Sequence, residues 1–332
     1  MSFITDPLKY EFFVHGIVAA TLVGGICALI GVYIVLRRMS YIGHGLSHAV
    51  FGGAVVSTVM QWNFYVGAGA WGFLSVLLIN AVARKKKVGA DAAIGVITTA
   101  SFAVGVAIIS RYRRFTKSFE ATLFGNILGV TSEDLWIITL VVLVSVLLIF
   151  IFYRQFLFTT FDAEVARIYG VPVDWVERLF SLILASVIIV SMQVMGVTMI
   201  AAGIIMPAVT ARVLTDSFNK MVFLSVLIGT LCGTLGMYVS FYFDVSSGAT
   251  IVLVSAAFFL LAYLYQMLME RKPPAMETAP VIETGDIQTH AHLHTREHAG
   301  FYHVHEHAHE EIATDPNKET HTHPKHQPLK KP

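Results

Sequence analysis

The chain has 332 residues, of which 55% are hydrophobic and only 14% are charged, with a formal net charge of +1 and a mean hydropathy of +0.68. This composition excludes an ordinary soluble globular protein, and the near-zero charge gives no reason to expect a nucleic-acid partner. We therefore predict an all-α polytopic membrane protein surrounded by membrane lipid.

The first eleven residues carry Asp6, Lys9 and Glu11 and lack the basic start and cleavage site of a secretory signal, so the first apolar segment is expected to remain as an anchor. A membrane-spanning helix needs about 20 apolar residues. We predict about nine spans, within a range of eight to ten, because glycine, proline and polar residues interrupt 44–62 and 179–214. The predicted spans are 12–36, 44–62, 65–83, 90–110, 134–153, 179–196, 197–214, 221–243 and 249–269.

Basic residues predict the orientation of these spans, since cytoplasmic loops are rich in lysine and arginine. With nine crossings, the amino terminus is outside and most basic clusters face the cytoplasm, including Arg37-Arg38 and residues 84–87. A further cluster around Arg111 to Lys117 lies on the outer side and conflicts with the rule. Residues 118–130 are too short to span and are expected to form a re-entrant or interfacial helix.

Two histidines lie one helical turn apart, in Gly43-His44-Gly45-Leu46-Ser47-His48. Side chains four residues apart share one face of a helix, so both imidazoles can reach one cation such as zinc or manganese. Polar groups at membrane depth are costly and suggest function. The alternative is that each histidine forms a hydrogen bond to a neighbouring helix.

A polar interval at about 154–178 interrupts the apolar pattern and is predicted to be a cytoplasmic segment containing a short helix that ends at glycine and proline. One interpretation is a solvated connector without a binding role. The alternative is a segment that docks on another subunit through Glu164, Ala166 and Gly170, with the small residues entering the partner's cleft.

Asp244 lies where an apolar span meets Val-Ser-Ser-Gly, so it is a third candidate metal ligand or, alternatively, a helix-end residue facing water. Beyond the predicted domain of residues 1–272, residues 273–332 read as a disordered tail. This tail is expected to bind metal as a buffer or sensor, or else to be an incidental solubilising segment. Its histidines are His290, His292, His294, His298, His303, His305, His307, His309, His321, His323 and His326.

Four blocks in this order resemble the permease subunits of ATP-binding-cassette importers for zinc, manganese or iron: 36–50 (LRRMSYIGHGLSHAV), 162–172 (DAEVARIYGVP), 206–214 (MPAVTARVL) and 236–249 (GMYVSFYFDVSSGA). The resemblance implies a dimer of identical or of two different chains, with identical chains favoured, that works with a cytoplasmic ATPase subunit and an extracytoplasmic metal-binding protein. Such permeases commonly have aspartate where this chain has His44. A second imidazole shifts the expected preference toward zinc over manganese.

The chain contains no Gly-x-x-x-x-Gly-Lys-Ser/Thr phosphate loop, so ATP would be used by a partner subunit. We predict a non-enzymatic permease in the cytoplasmic (inner) membrane, without a permanently bound cofactor, that carries zinc, or alternatively manganese or iron, inward and has its tail in the cytoplasm. One alternative is a gradient-driven metal transporter, which would need no docking segment. The other is a membrane-bound metalloenzyme, for which His44 to His48 lack the glutamate of the His-Glu-x-x-His pattern.

Overall fold

The computed structural model describes residues 5–83, 89–112, 122–125 and 129–270, and the fold of this part of the chain is helical. Nine helices of 15 to 26 residues in this part of the chain correspond one to one with the nine predicted spans. They are α1 (Glu11–Leu36), α2 (Ser40–Met60), α3 (Phe64–Ala83), α4 (Ala90–Arg111), α5 (Ser132–Ile151), α8 (Val173–Met195), α9 (Ile200–Leu214), α10 (Phe218–Phe243) and α11 (Ser247–Glu270). Two short helices, α6 (Tyr153–Phe161) and α7 (Ala163–Ile168), lie between α5 and α8.

Seven of the helices in the described residues are long and apolar enough to cross a membrane. The two others are α2, which carries both histidines, and α9, which has 15 residues. These are the regions where the sequence left the count open. The interval 179–214 is divided at Gly196 (φ +70°) into the long helix α8 and the short helix α9. Helix α8 begins at Val173, earlier than predicted. Its first turns are polar, so the apolar pattern of the sequence did not include them.

Helix α1 packs against most of the other helices, and most of its residues and those of α8 are buried, whereas few residues of α5 and α11 are. Helix α10 runs antiparallel to α1, since the ring of Phe13 packs on Phe241 and that of Tyr33 packs on Phe218. A methyl group on Gly229 would collide with the backbone of Gly24. Small residues therefore let the two backbones approach closely, as is common where membrane helices pack.

The described residues Thr122–Gly125 lie against the turn between α8 and α9. The Val197 N–H donates to the Thr122 carbonyl at 3.0 Å, and the Thr198 hydroxyl donates to the Leu123 carbonyl at 2.7 Å. The rest of the predicted re-entrant segment lies largely outside the described residues, as do most of the basic cluster near Lys117 and the whole tail 273–332. The expectations for those regions therefore stay predictions.

Candidate metal site and docking segment

A three-residue turn positions the histidine pair. Helix α1 ends at Leu36, Arg38 adopts a left-handed conformation (φ +55°), and α2 begins at Ser40. The Met39 N–H donates to the Ile34 carbonyl at 3.0 Å, which fixes the turn to the end of α1. The start of α2, and with it the two histidines, is therefore tied closely to α1.

His44 and His48 point at the same position in space. Their Nε2 atoms are 3.2 Å apart, and the two rings are nearly perpendicular, with centroids 4.5 Å apart. For a metal ion at 2.0–2.1 Å from both nitrogens, the angle between the two metal–nitrogen bonds would be about 100°, near the tetrahedral value. The pair can thus act as a two-nitrogen ligand for one divalent ion, or share a hydrogen bond when no ion is bound.

The surroundings hold the two rings differently. His48 packs edge-on against Phe102 of α4, with ring centroids 4.7 Å apart, whereas His44 is exposed. The buried Nδ1 of His48 has no hydrogen-bond partner in the described part of the chain. Nε2 is therefore the nitrogen of His48 that has a partner, and it is the one aimed at His44.

The pair is not completed by further protein ligands within the described residues, where no group of three or more His, Cys, Asp or Glu side chains is placed to hold a metal ion. Two imidazoles leave two coordination positions of a tetrahedral ion open. Transport requires a site that releases its ion, so an incomplete set of ligands on one chain is compatible with that role.

The structure places Asp244 away from the histidine pair. Asp244 ends α10 in a left-handed conformation (φ +52°, ψ +46°) and is exposed beside a cavity of about 350 Å³ that Phe12, Phe13 and Gly125 also line. Gly31 of α1 and Gly43 of α2 both lie next to Ile204, since a side chain added at either glycine would contact that residue. The histidine pair, which follows Gly43, is therefore at the level of Gly31 along α1. Eighteen residues of helix separate Phe13 from Gly31, or roughly 27 Å. The mixed nitrogen and oxygen site expected from the sequence is therefore not assembled in this structure.

The predicted docking segment consists of α6, α7 and the turn that follows. Asp162 caps α7, because its carboxylate accepts hydrogen bonds from the N–H groups of Glu164 and Val165 at 2.9 Å. Gly170 ends the helix with φ +80°, a conformation that favours glycine, and nothing lies within 4 Å of where its Cβ would be. The predicted short helix with a glycine stop is thus present.

Burial differs from the prediction at one of the three docking residues. Glu164 and Gly170 are exposed, but Ala166 is 0% exposed and packs inward, so it does not face a partner. The reason is that α7 has only six residues, fewer than two turns, and one of its faces packs against the rest of the protein.

The exposed surface of the segment also includes large apolar residues that sequence reasoning missed. Ile168 and Tyr169 are 83% and 74% exposed, and Phe161 is 65% exposed. The available signal was their position beside charged residues, in a polar interval outside the predicted spans. Apolar groups exposed outside the spans suggest a protein contact.

Comparison with known proteins agrees with this arrangement of helices. The family described as the ABC 3 transport family matches residues 9–266. The manganese transport system membrane protein MntC of Listeria monocytogenes is 34% identical over 265 residues, which cover 80% of this chain and 94% of MntC. A probable iron transport system membrane protein of Haemophilus influenzae is 29% identical over 280 residues, covering 83% and 99% of the two chains. The solved structure of PsaBC from Streptococcus pneumoniae in complex with Fab has a TM-score of 0.72 and 34% identity and covers 81% of this chain and 99% of that chain.

Proposed function

The chain belongs to the ABC 3 transport family, and from that premise we propose that it is the membrane-spanning permease of an ATP-driven importer for a divalent transition metal. The observation that carries the proposal is the pair of Nε2 atoms 3.2 Å apart on a helix of a permease. In this account the ion arrives from an extracytoplasmic binding protein, passes His44 and His48, and is released to the cytoplasm.

The relatives described above are named for manganese and iron. We therefore take manganese as the first candidate cargo and iron as the second. The preference for zinc that the sequence suggested has no support from these names and rests only on the chemistry of two imidazoles, which bind zinc more tightly than manganese. Competition between manganese, iron and zinc in an uptake assay decides among them.

A separate ATPase subunit supplies the energy in this proposal. It docks on α7 and the following turn, where Ile168 and Tyr169 offer an apolar surface next to Glu164. Burying such apolar side chains on association is the main favourable contribution to a contact of this kind. The proposal keeps the dimer of identical chains that the family resemblance implies, and either water or a side chain of the second copy would fill the coordination positions left open at the histidine pair.

The proposed orientation puts α7 and the carboxyl-terminal tail in the cytoplasm and the cavity beside Asp244 outside. In that orientation the ATPase meets α7, and Asp244 lies on the side from which the ion enters. A carboxylate beside the entrance would attract the incoming cation without belonging to the site of the histidine pair.

Uptake into proteoliposomes tests the proposal directly. The vesicles contain the full chain with its ATPase and binding protein, and uptake of radiolabelled manganese is compared with and without ATP and with and without the ATPase. We expect uptake only in the complete, ATP-supplied system. Uptake driven by an ion gradient without the ATPase would contradict the proposal and support a gradient-driven transporter.

A further inference from the structure

Arg37 connects the docking segment with the turn that leads to the histidine pair. It follows the last residue of α1, and its side chain reaches α6. There its Nε donates to the Thr160 hydroxyl and its Nη2 donates to the Thr159 hydroxyl, each at 3.0 Å. Its Cζ lies 4.4 Å from the centre of the Phe180 ring on α8. One side chain thus connects three helices.

The two threonine hydroxyls are oriented to accept from Arg37. Thr160 donates its own proton to the Phe156 carbonyl at 2.6 Å, and Thr159 donates to the Gln155 carbonyl at 2.9 Å. Each hydroxyl has one proton, so its lone pairs remain for the guanidinium. This alignment is directional, and it would be lost if α6 moved relative to α1.

Arg37 is a cation at neutral pH although its surroundings are partly apolar. Burial lowers the pKa of the guanidinium to about 10, and the charge of Glu177 opposes that shift. The ion pairs within the described residues do not include Arg37. Its charge is held by neutral hydroxyls and an aromatic face, contacts that depend on precise placement of α6 and α8.

Both ends of this contact are a few residues from functional elements. Thr160 is two residues before Asp162, which caps α7. Arg37 is three residues before Ser40, where α2 begins, and its backbone N–H donates to the Tyr33 carbonyl at 3.0 Å. Displacement of α7 would therefore pull on the guanidinium through α6 and move the turn that carries the first residues of α2.

We infer that Arg37 is the positioning residue that transmits movement of the docking segment to His44 and His48. The inference rests on the proposed function, because it presumes that an ATPase moves α7. It assigns to Arg37 the coupling of ATP hydrolysis to transport, separate from metal binding and from docking. The nearest alternative is that Arg37 only stabilises the fold.

The test measures metal ions transported per ATP hydrolysed in proteoliposomes that contain the full permease, its ATPase and its binding protein. The variants are Arg37→Gln and Thr160→Val. Arg38→Gln is one control, at the exposed arginine next in the chain. Thr139→Val is the other, because the Thr139 hydroxyl donates to the Leu135 carbonyl in the same way as Thr160 but does not contact Arg37.

We expect the transport ratio to fall at least about fivefold in Arg37→Gln and Thr160→Val, the lower end of typical coupling between sites. Zinc binding by the histidine pair and basal ATP hydrolysis should persist, and both controls should keep the wild-type ratio. The double variant Arg37→Gln/Thr160→Val should be no worse than Arg37→Gln, since the change at Arg37 already removes its contact with Thr160. A merely structural role would instead lower the amount of inserted protein and leave the ratio unchanged.

Unchanged ratios in both variants would overturn the role of Arg37 while leaving the importer intact. Loss of zinc binding in Thr160→Val would also overturn it, because the effect would then act on the site itself. If the wild-type complex shows no ATP-driven uptake, the proposed function fails, and the inference fails with it. The two failures are therefore distinguished by the wild-type measurement.

Discussion

Replacing His48 by alanine removes one of two nitrogens that converge on a single position. The Nε2 atoms of His44 and His48 are 3.2 Å apart, a separation that fits two bonds of 2.0–2.1 Å to the same ion. Loss of either ring leaves a single imidazole, which no longer holds the ion from two sides. The change also removes the ring packed on Phe102 but introduces no charge.

The expected loss of zinc affinity is at least about 100-fold. Outer-shell groups that only orient a ligand are worth 10–100-fold, so loss of a ligand itself should equal or exceed the upper value. A factor of about 100 corresponds to about 2.8 kcal/mol. The double variant His44→Ala/His48→Ala should lose little more than either single variant, because the first substitution already abolishes two-point binding.

Calorimetric titration with zinc measures this loss in detergent-solubilised permease. Eleven of the 14 histidines lie in residues 290–326 and would bind zinc themselves, so the titration uses both the full chain and a chain ending at residue 272. His15→Ala, in α1, is the matched control, and it should bind as the wild type does. A loss of less than about threefold in His48→Ala, or an equal loss in His15→Ala, would refute the assignment of the pair.

Three other outcomes are expected. Gly229→Ala places a methyl group against the Gly24 backbone, whereas nothing lies within 4 Å of the methyl group added in the control Gly69→Ala. The free energy of unfolding in detergent should therefore be lower in Gly229→Ala than in Gly69→Ala by about 1–3 kcal/mol. Equal stabilities of the two variants would contradict the packing of α1 on α10. Ile168→Asp should abolish ATPase binding in a pull-down yet leave zinc binding intact, and retained ATPase binding would mean that α7 is an ordinary connector. Deletion of residues 275–332 should leave the initial rate of metal uptake unchanged but remove the inhibition of uptake by accumulated metal. Unaltered inhibition would mean that the tail is an incidental solubilising segment.

The spans could be predicted from the sequence because a membrane requires long apolar segments whatever the packing. All nine predicted segments coincide with helices of the described part of the chain. Their limits were less predictable where helices extend beyond the apolar region, as at the start of α8, whose first turns carry Asp174 and Glu177. A hydropathy window does not register such polar turns.

The histidine pair was also predictable, because the spacing of four residues alone brings two side chains onto one helical face. The position of Asp244 was not. It depends on α10 lying antiparallel to α1, which brings together residues as far apart in the chain as Phe13 and Phe241. Burial of Ala166 likewise depends on how α7 packs against its neighbours. A helix of six residues is too short for its hydrophobic periodicity to show which face is buried.

The contact of Arg37 with Thr159 and Thr160 illustrates the same limit. These residues are separated by more than 120 positions, and each of them looks ordinary in its local sequence. An arginine after an apolar span is expected to face the cytoplasm. Only the fold shows that its guanidinium is enclosed by α6 and α8.

The most direct test of the account is ATP-dependent manganese uptake by proteoliposomes that contain the complete transporter, with wild type, His48→Ala and His15→Ala compared side by side. We predict uptake by the wild type and His15→Ala, and none by His48→Ala, with equal amounts of inserted permease and associated ATPase in all three. Normal uptake by His48→Ala would contradict the claim that the histidine pair lies on the path of the ion.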